Sequence, residues 1–446
     1  AFVMDTVSHI QHGLWRHPDA QQHRFDELDL WVDLARTLER GGFDAMFFAD
    51  VVGLYGPAGG DYTLNAREGL QIPNGDPSVL ISALASATDH LGFAFTSSVL
   101  QAHPFEFARR VSTLDHLTKG RVGWNVVTSA LDGAARNFGS DRLEEHDERY
   151  VWAQEYVDVV TKLWEGSWDD DAWRADKAAG VVSDASGIHR IDHVGQRYSV
   201  AGPHLSRPSP QRTPVLFQAG SSTAGRAFAA RNAEAQFILS STPERTAELI
   251  ASTRDEVEAA GRARDDVRFF LGLAFVIGST EEEARRRSDE LDEWLSPDGF
   301  LVHSNLGFDP DTGARLDPDT PLSQVRTQTN QSHLQWLQEA AGDREPTIRD
   351  LAALSARIRS RVVGTPEQIA DRLEAWQDAG VDGINVINWT IPGSFEELVD
   401  HVMPVLRERG LAEPHPETPG TLRSRLFGHD QLPDRHPARA WRGAFS

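Results

Sequence analysis

Three observations predict an α/β protein folded as a closed (β/α)8 TIM barrel. Eight apolar runs rich in β-branched or aromatic residues recur along the chain, and patterns of helical period separate them. The 446 residues would otherwise imply two or three domains, but barrels of this kind commonly run long as one. The strands are read at Phe2 to Met4, Phe43 to Asp50, Leu91 to Val99 and Val122 to Thr128, then Pro214 to Ala219, Ala235 to Ser240, Phe269 to Ile277 and Ile384 to Asn388. Leu28, Trp31, Leu34, Ala35 and Leu38 share one face of a helix that Gly41-Gly42 stops. Ile369, Leu373 and Trp376 share a face of another. That helix opens with Thr365-Pro366-Glu367-Gln368, a capping box with proline at its first position.

Two spacings are too long for a plain barrel. Residues 167–213 separate the fourth helix from the fifth strand and are rich in Asp, Gly and Pro, which predicts short irregular structure on the surface. Residues 280–361 carry one charged helix and then a loop-like stretch, Pro297 to Pro321. Long loops in compact domains serve as lids or binding elements, so this stretch is expected to act as a lid. The barrel with its insertions is assigned to residues 1–413. The Pro- and Arg-rich residues 414–446 form an extension that wraps the barrel or meets a partner subunit.

Composition narrows the function. The chain is 40% apolar and 25% charged, and no apolar run approaches the roughly 18 residues of a membrane span. It opens without a basic region and apolar core, so a cytoplasmic location is expected. With no cysteine, disulfides, thiolate metal sites and cysteine nucleophiles are excluded. A net charge of −23 argues against a nucleic-acid partner, and an anionic ligand must be held by local donors.

Several strand ends carry groups suited to a ligand. Asp50 ends the second strand, Thr96 and Ser97 the third, Asn125 and Ser129 the fourth. His146 and Tyr150, four apart, share a helical face. The turn from Ala219 and Gly220 through Ser221 and Ser222 to Gly225 enters a helix, and there backbone N–H groups face an anion. Each feature is also compatible with a simple cap or turn. His9, His12 and His17 crowd the first loop. No carboxylate or thiol pattern accompanies them, so the prediction there is a pocket lining and no metal.

The stretches Gly120-Arg121-Val122-Gly123-Trp124-Asn125-Val126-Val127-Thr128-Ser129 and His146-Asp147-Glu148-Arg149-Tyr150 carry a resemblance. So do residues 9–18, 48–53, 112–117, 162–168, 208–214 and 218–222, and Leu426-Phe427-Gly428. Together they resemble the bacterial luciferase-like flavin monooxygenases, in the branch of nitrilotriacetate, dibenzothiophene-sulfone, dimethyl-sulfide and long-chain-alkane monooxygenases. The resemblance implies FMN, received as FMNH2, with Asp50 near the flavin ring and His146 and Tyr150 against the ribityl phosphate. Thr96, Ser97, Asn125 and Ser129 would meet the polar edge of the ring, and Ala219 to Ser222 the phosphate. It implies that His9, Tyr55, Gln71 and His303 carry the substrate chemistry. This chain departs at Thr6, where that branch has Cys, and at Ala130, where it has His.

The expected activity is an FMNH2-dependent monooxygenase, the oxygenase half of a two-component system that acts on O2 through a flavin C4a-hydroperoxide. No Gly-x-Gly-x-x-Gly follows a strand, so a separate NAD(P)H:FMN reductase is expected to supply the flavin by diffusion. The expected substrate is a small or mid-sized, largely uncharged organosulfur or hydrocarbon-like molecule, and the expected assembly a homodimer or homotetramer. The alternatives are a flavin- or deazaflavin-dependent reductase on the same barrel and a non-catalytic flavin carrier.

Overall fold

The computed structural model describes residues 1–56, 61–220, 222–240, 242–309, 312–326, 344–355 and 360–446. The strands in chain order are β1 (Phe2–Met4), β2 (Ala45–Ala49), β3 (Gly92–Ser98) and β4 (Val122–Val127), then β5 (Trp173–Asp176), β6 (Val181–Ser183), β7 (His193–Val194), β8 (Ser199–Val200) and β9 (Val215–Gln218). They continue with β10 (Ala235–Ile238), β11 (Arg268–Ile277), β12 (Arg361–Gly364) and β13 (Gly383–Ile387). The parallel order β1-β2-β3-β4-β9-β10-β11-β13 closes on itself, because β10 pairs with β11 and β13 with β1. This is a closed (β/α)8 barrel, and its eight strands are those read from the sequence.

The strand alternation builds two cores. Outward-facing Phe48, Phe95 and Trp124 pack under the surrounding helices with Trp31, Phe107 and Tyr156. Each fully buried side chain of this size contributes roughly 1.5–3 kcal/mol. Inward-facing Phe2, Phe47, Ala94 and Phe217 fill the lumen. Gly123 leaves the room this needs, since a Cβ there would lie 2.6 Å from the Phe217 ring.

Three features depart from the sequence reading. Residues 167–213 contain two short antiparallel pairs, β5–β6 and β7–β8. β12 is an extra strand, paired with the far half of β11 from Ala274 to Ile277. The stretch read as a loop from Pro297 begins as a helix, Pro297–Ser304, whose N-terminus is capped by Ser296 accepting from the Gly299 N–H. Leu301, Leu306, Leu322, Val325, Ile348 and Leu351 give this insertion a small core of its own.

The C-terminal extension lies against the N-terminal end of the barrel. The Leu422 N–H donates to the Gly120 carbonyl at 2.8 Å, and the fully buried Arg423 reaches both carboxylate oxygens of Glu234 at 2.7 and 2.9 Å. A cavity of about 390 Å³ opens at this end beside Phe47, Phe270 and Leu426. Its lining is mostly aromatic and aliphatic, whereas the ligand face of such a barrel is the opposite one, where the strands end. Among the described residues no helix is long and apolar enough to cross a membrane, and no group of three or more His, Asp or Glu could hold a metal.

Candidate active site

Beyond β1, the first loop brings His9 and His12 under the helix Pro297–Ser304, which supplies His303. The Ser296 N–H donates to the His12 carbonyl at 2.8 Å. Gly299 permits the close approach, because a Cβ there would sit 2.9 Å from that of His12. His303 Nδ1 lies 2.7 Å from His12 Nε2 and 3.0 Å from the His9 carbonyl oxygen. The His9 and His303 rings stack at 5.4 Å, and the Tyr55 ring lies 4.3 Å from His303. Gln71 donates to His9 Nδ1 at 2.9 Å. The four residues expected to carry substrate chemistry thus come together from four separate segments.

In the cluster His12 and Gln71 are buried, while His9, Tyr55 and His303 are partly exposed. Burial, with His303 adding, holds His9 and His12 well below the ordinary histidine range, and burial pushes the Tyr55 phenol up to about 12. A void of about 30 Å³ lined by Met4, Thr6, His9, Gln11 and Ile391 adjoins it. The basic residues nearest in sequence are engaged elsewhere: Arg16 donates to the Gly13 and Trp294 carbonyls, and Arg67 pairs with Glu68.

A second wall runs along β3 and β4. Thr96 and Asn125 are register partners, and Asn125 donates to Thr96 Oγ1 at 3.0 Å while its own buried Oδ1 has no partner. Ser129 donates to the Ser98 hydroxyl at 2.9 Å, and Arg149 donates to the Ser129 carbonyl. Ser97 alternates to the other side of the strand from Thr96, and its hydroxyl donates to Gln101. Gln101 in turn donates to Asp50, which Asn74 also reaches at 3.1 Å. Burial pushes the Asp50 carboxyl up to about 6 against these two donors. Nearby Asp5 rises to about 7 through burial and then the charge of Asp50.

The third part is a cradle at the end of β9. Ser222 caps the helix Thr223–Asn232 by accepting from the Gly225 N–H at 3.1 Å, and Gln218 accepts from the Gly220 N–H at 2.7 Å. The Tyr150 hydroxyl lies over this turn, close to Gly220 and Gly225. A Cβ on Gly220 or Gly225 would stand 2.8 or 2.7 Å from that hydroxyl. His146 makes an edge contact with Tyr150 at 5.3 Å but is half exposed and paired with Asp147. Ala219 is exposed at the strand end, and Ser221 lies outside the described residues. Helix N–H groups, two hydroxyls and a turn kept open by glycine suit a phosphate. The unpartnered Asn125 Oδ1 and Gln236 Oε1 suit the polar edge of a flavin. The residues present therefore fit a flavin that carries a phosphate.

Sequence reasoning missed Arg149, Gln101, Gln218, Gln236 and the contacts of His12. Two of these stood in stretches already singled out, Arg149 beside Tyr150 and Gln218 at the start of residues 218–222.

The model of the luciferase-like monooxygenases matches residues 4–383. The chain belongs to that family. It is 43% identical to the dimethyl-sulfide monooxygenase of Hyphomicrobium sulfonivorans over 456 residues, covering 100% of this chain and 93% of the relative. The crystal structure of that enzyme superimposes with a TM-score of 0.90, covering 100% of this chain and 95% of its own. The long-chain alkane monooxygenase of Geobacillus thermodenitrificans is 41% identical over 449 residues, covering 100% and 98%. A riboflavin lyase solved with modified FMN and riboflavin is 37% identical with a TM-score of 0.90, covering 99% and 98%. The chain is accordingly a flavin-dependent monooxygenase.

Proposed function

We propose that this chain is the oxygenase of a two-component FMN monooxygenase, fed with reduced FMN by a separate NAD(P)H:FMN reductase and working as a homodimer or homotetramer. The substrate is small or mid-sized and largely uncharged, an organosulfur or hydrocarbon-like molecule. One observation carries the substrate class: the pocket around His9, Tyr55, Gln71 and His303 is lined by neutral groups, while Arg16 and Arg67 are committed elsewhere. Burying the carboxylates of a polyanion there without cationic partners would be prohibitive.

FMN is favoured over FAD because the turn from Gly220 to Gly225 offers one compact anion site, and the riboflavin lyase relative carries a modified FMN. Bound reduced flavin would supply the oxygen activation. Tyr150, Ser222 and the helix N–H groups hold its phosphate, and Thr96, Asn125 and Asp50 meet the ring. Helix Pro297–Ser304 keeps water out, and His9 and His303 orient the substrate and hold protons at their ring nitrogens.

The test is an anaerobic titration with reduced FMN and FAD, followed by turnover under oxygen-18 with a generic flavin reductase and a panel of sulfides, sulfones, alkanes and aminopolycarboxylates. Tighter FMN binding and label in a neutral product are expected. Turnover confined to nitrilotriacetate would overturn the substrate class. Reduction without label would favour a reductase, and binding without turnover a carrier.

A further inference from the structure

Three buried polar side chains border one small void and find no partner for their inner atoms. The void, of about 30 Å³, lies behind the first loop, and Ser8, His9, Gln11 and Gln22 stand in its wall. Ser8 Oγ, Gln22 Oε1 and both amide atoms of Gln11 are unpaired, on residues only 4%, 6% and 6% exposed for Ser8, Gln11 and Gln22. The Gln22 amide cannot be turned round, because its nitrogen donates to the Trp389 carbonyl at 3.3 Å and a carbonyl only accepts. Gln22 therefore offers an acceptor, Gln11 an acceptor and N–H donors, and Ser8 a hydroxyl that does either. Thr6, also in the wall, is already committed to the Pro73 carbonyl at 2.7 Å. No Asp, Glu, Lys or Arg is among the described residues of that wall.

We propose that this void is the seat of one tightly held water molecule, which hydrogen-bonds Gln22, Gln11 and Ser8 and ties the loop carrying His9 to the segment after β13. A buried water needs at least about 10–15 Å³ and two to four polar partners, and both are present. It donates to Gln22 Oε1 and accepts from the Gln11 amide or the Ser8 hydroxyl. An ion is a poorer occupant. A cation would meet no carboxylate and an anion no arginine or lysine, and a buried charge without a counter-charge is prohibitive. An apolar group would leave the polar atoms unmet. The backbone shows what the water joins. The Ser8 N–H donates to the Gly69 carbonyl at 3.0 Å, and the Ser8 carbonyl accepts from the Gln71 N–H at 3.2 Å. On the other side, the Gln21 N–H donates to the Ile391 carbonyl at 2.8 Å. The water bridges these two anchored segments. His9 shares the wall, with its ring stacked on Phe2 at 5.5 Å, so a loop that shifts carries His9 with it.

A high-resolution crystal structure of the full parent chain should show one solvent peak about 2.7–3.2 Å from Gln22 Oε1 and from Gln11 or Ser8. An empty void, or a peak with the shorter and more numerous oxygen contacts of a metal ion, overturns the proposal. Stability gives an independent sign. If water meets the Gln11 amide, Gln11→Met, of similar volume, strips that water of a partner and should lower the melting temperature by about 1–2 °C in a chain of this size. If the amide is unmet, the same change removes a buried polar group that has no partner and raises the melting temperature, which would also overturn the proposal. Ser8→Ala, a smaller change, should lower it as well. A crystal structure of Gln11→Met should show the peak weakened or lost and the His9 ring off its stack on Phe2. An unmoved ring would overturn the tie to His9. None of these measurements needs turnover, so each stands apart from the proposed activity.

Discussion

The two ends of the barrel treat their buried carboxyl groups in different ways. At the N-terminal end Arg423 is fully buried, yet all three of its guanidinium nitrogens donate, to Glu234, Gln211, Thr213 and Asp430. Glu165 there meets Thr213 and Arg442, and Asp115 meets Gln211. At the C-terminal end Asn125 Oδ1, Gln71 Oε1, Gln236 Oε1 and both amide atoms of Gln11 are buried without partners. The carboxyls of Asp5 and Asp50 are held there with no arginine against them. Unmet buried atoms occur at the closed end as well, at Arg212 Nε, Arg262 Nε and Arg442 Nε, so the contrast lies in the carboxylates, which arginine meets at one end and burial alone raises at the other.

The largest expected effect breaks the closed end. Arg423→Leu leaves Glu234 buried and uncompensated and should cost about 3–5 kcal/mol in urea unfolding. Arg423→Leu with Glu234→Leu should recover most of that loss, while FMN affinity stays near the parent value in both. If the single change is silent, the ion pair is not what holds this end.

The two ends should also differ in the sign of their pH dependence. Burial raises Asp5 from 3.8 to about 7 and Asp50 to about 6, so the folded state binds more protons than the unfolded one between these values. Their contribution is fully present below about pH 4 and is lost as pH rises through 7. At about 1.4 kcal/mol per unit, shifts of about 3 units at Asp5 and about 2 at Asp50 set a loss of several kcal/mol, at most about 7. Burial opposes ionisation of Glu234 too, but the Arg423 charge and hydrogen bond outweigh it and hold this carboxyl low, so its contribution is lost only as pH falls. Urea midpoints measured from pH 4 to 8 should decline in the parent and less steeply in Asp5→Asn, where Asp50 still titrates. A parallel decline in both would remove Asp5 from the account.

At the ligand end, Tyr150→Phe should weaken FMN by about 1.5–3 kcal/mol, a hydrogen bond to a charged group, with little change in melting temperature. Ser222→Ala should weaken FMN as well and also remove a helix cap, costing about 1 kcal/mol of stability. Parent-like FMN titrations for both variants would put the phosphate elsewhere. The smallest effect is at the helix over the pocket. Gly299→Ala should push that helix from His12 at a cost of about 1 kcal/mol. FMN binding should hold while hydrogen peroxide release rises relative to product, and unchanged coupling would deny the helix a role in excluding water.

The barrel was legible because its strands are short, apolar and separated by well-capped helices such as the one from Thr365. The helix Pro297–Ser304 was not, although Ser296 followed by proline is itself a helix start. The Asp and Gly residues of that region outweighed it, and its apolar residues pack on a satellite core instead of the barrel. β12 was missed because four residues give little periodicity to read, and it exists by pairing with an over-long β11. In the candidate site, residues at strand ends could be named from position alone. Gln101 and Gln236 could not, since only the folded barrel brings them to Asp50 and Gly220. His12 was seen as one of a crowd of histidines, and its meaning depends on a partner 291 residues away.

The clasp at residues 421–442 has a bearing on the order of events during synthesis. Glu234 enters the barrel wall almost two hundred residues before Arg423 exists, so every nascent chain passes through a period with that carboxylate lacking its counterion. The barrel is therefore expected to finish tightening only after release of this segment from the ribosome tunnel. Pulse proteolysis of arrested chains ending near residue 420 should find them cleaved much faster than released full-length chains, and equal resistance would mean the wall matures without its clasp.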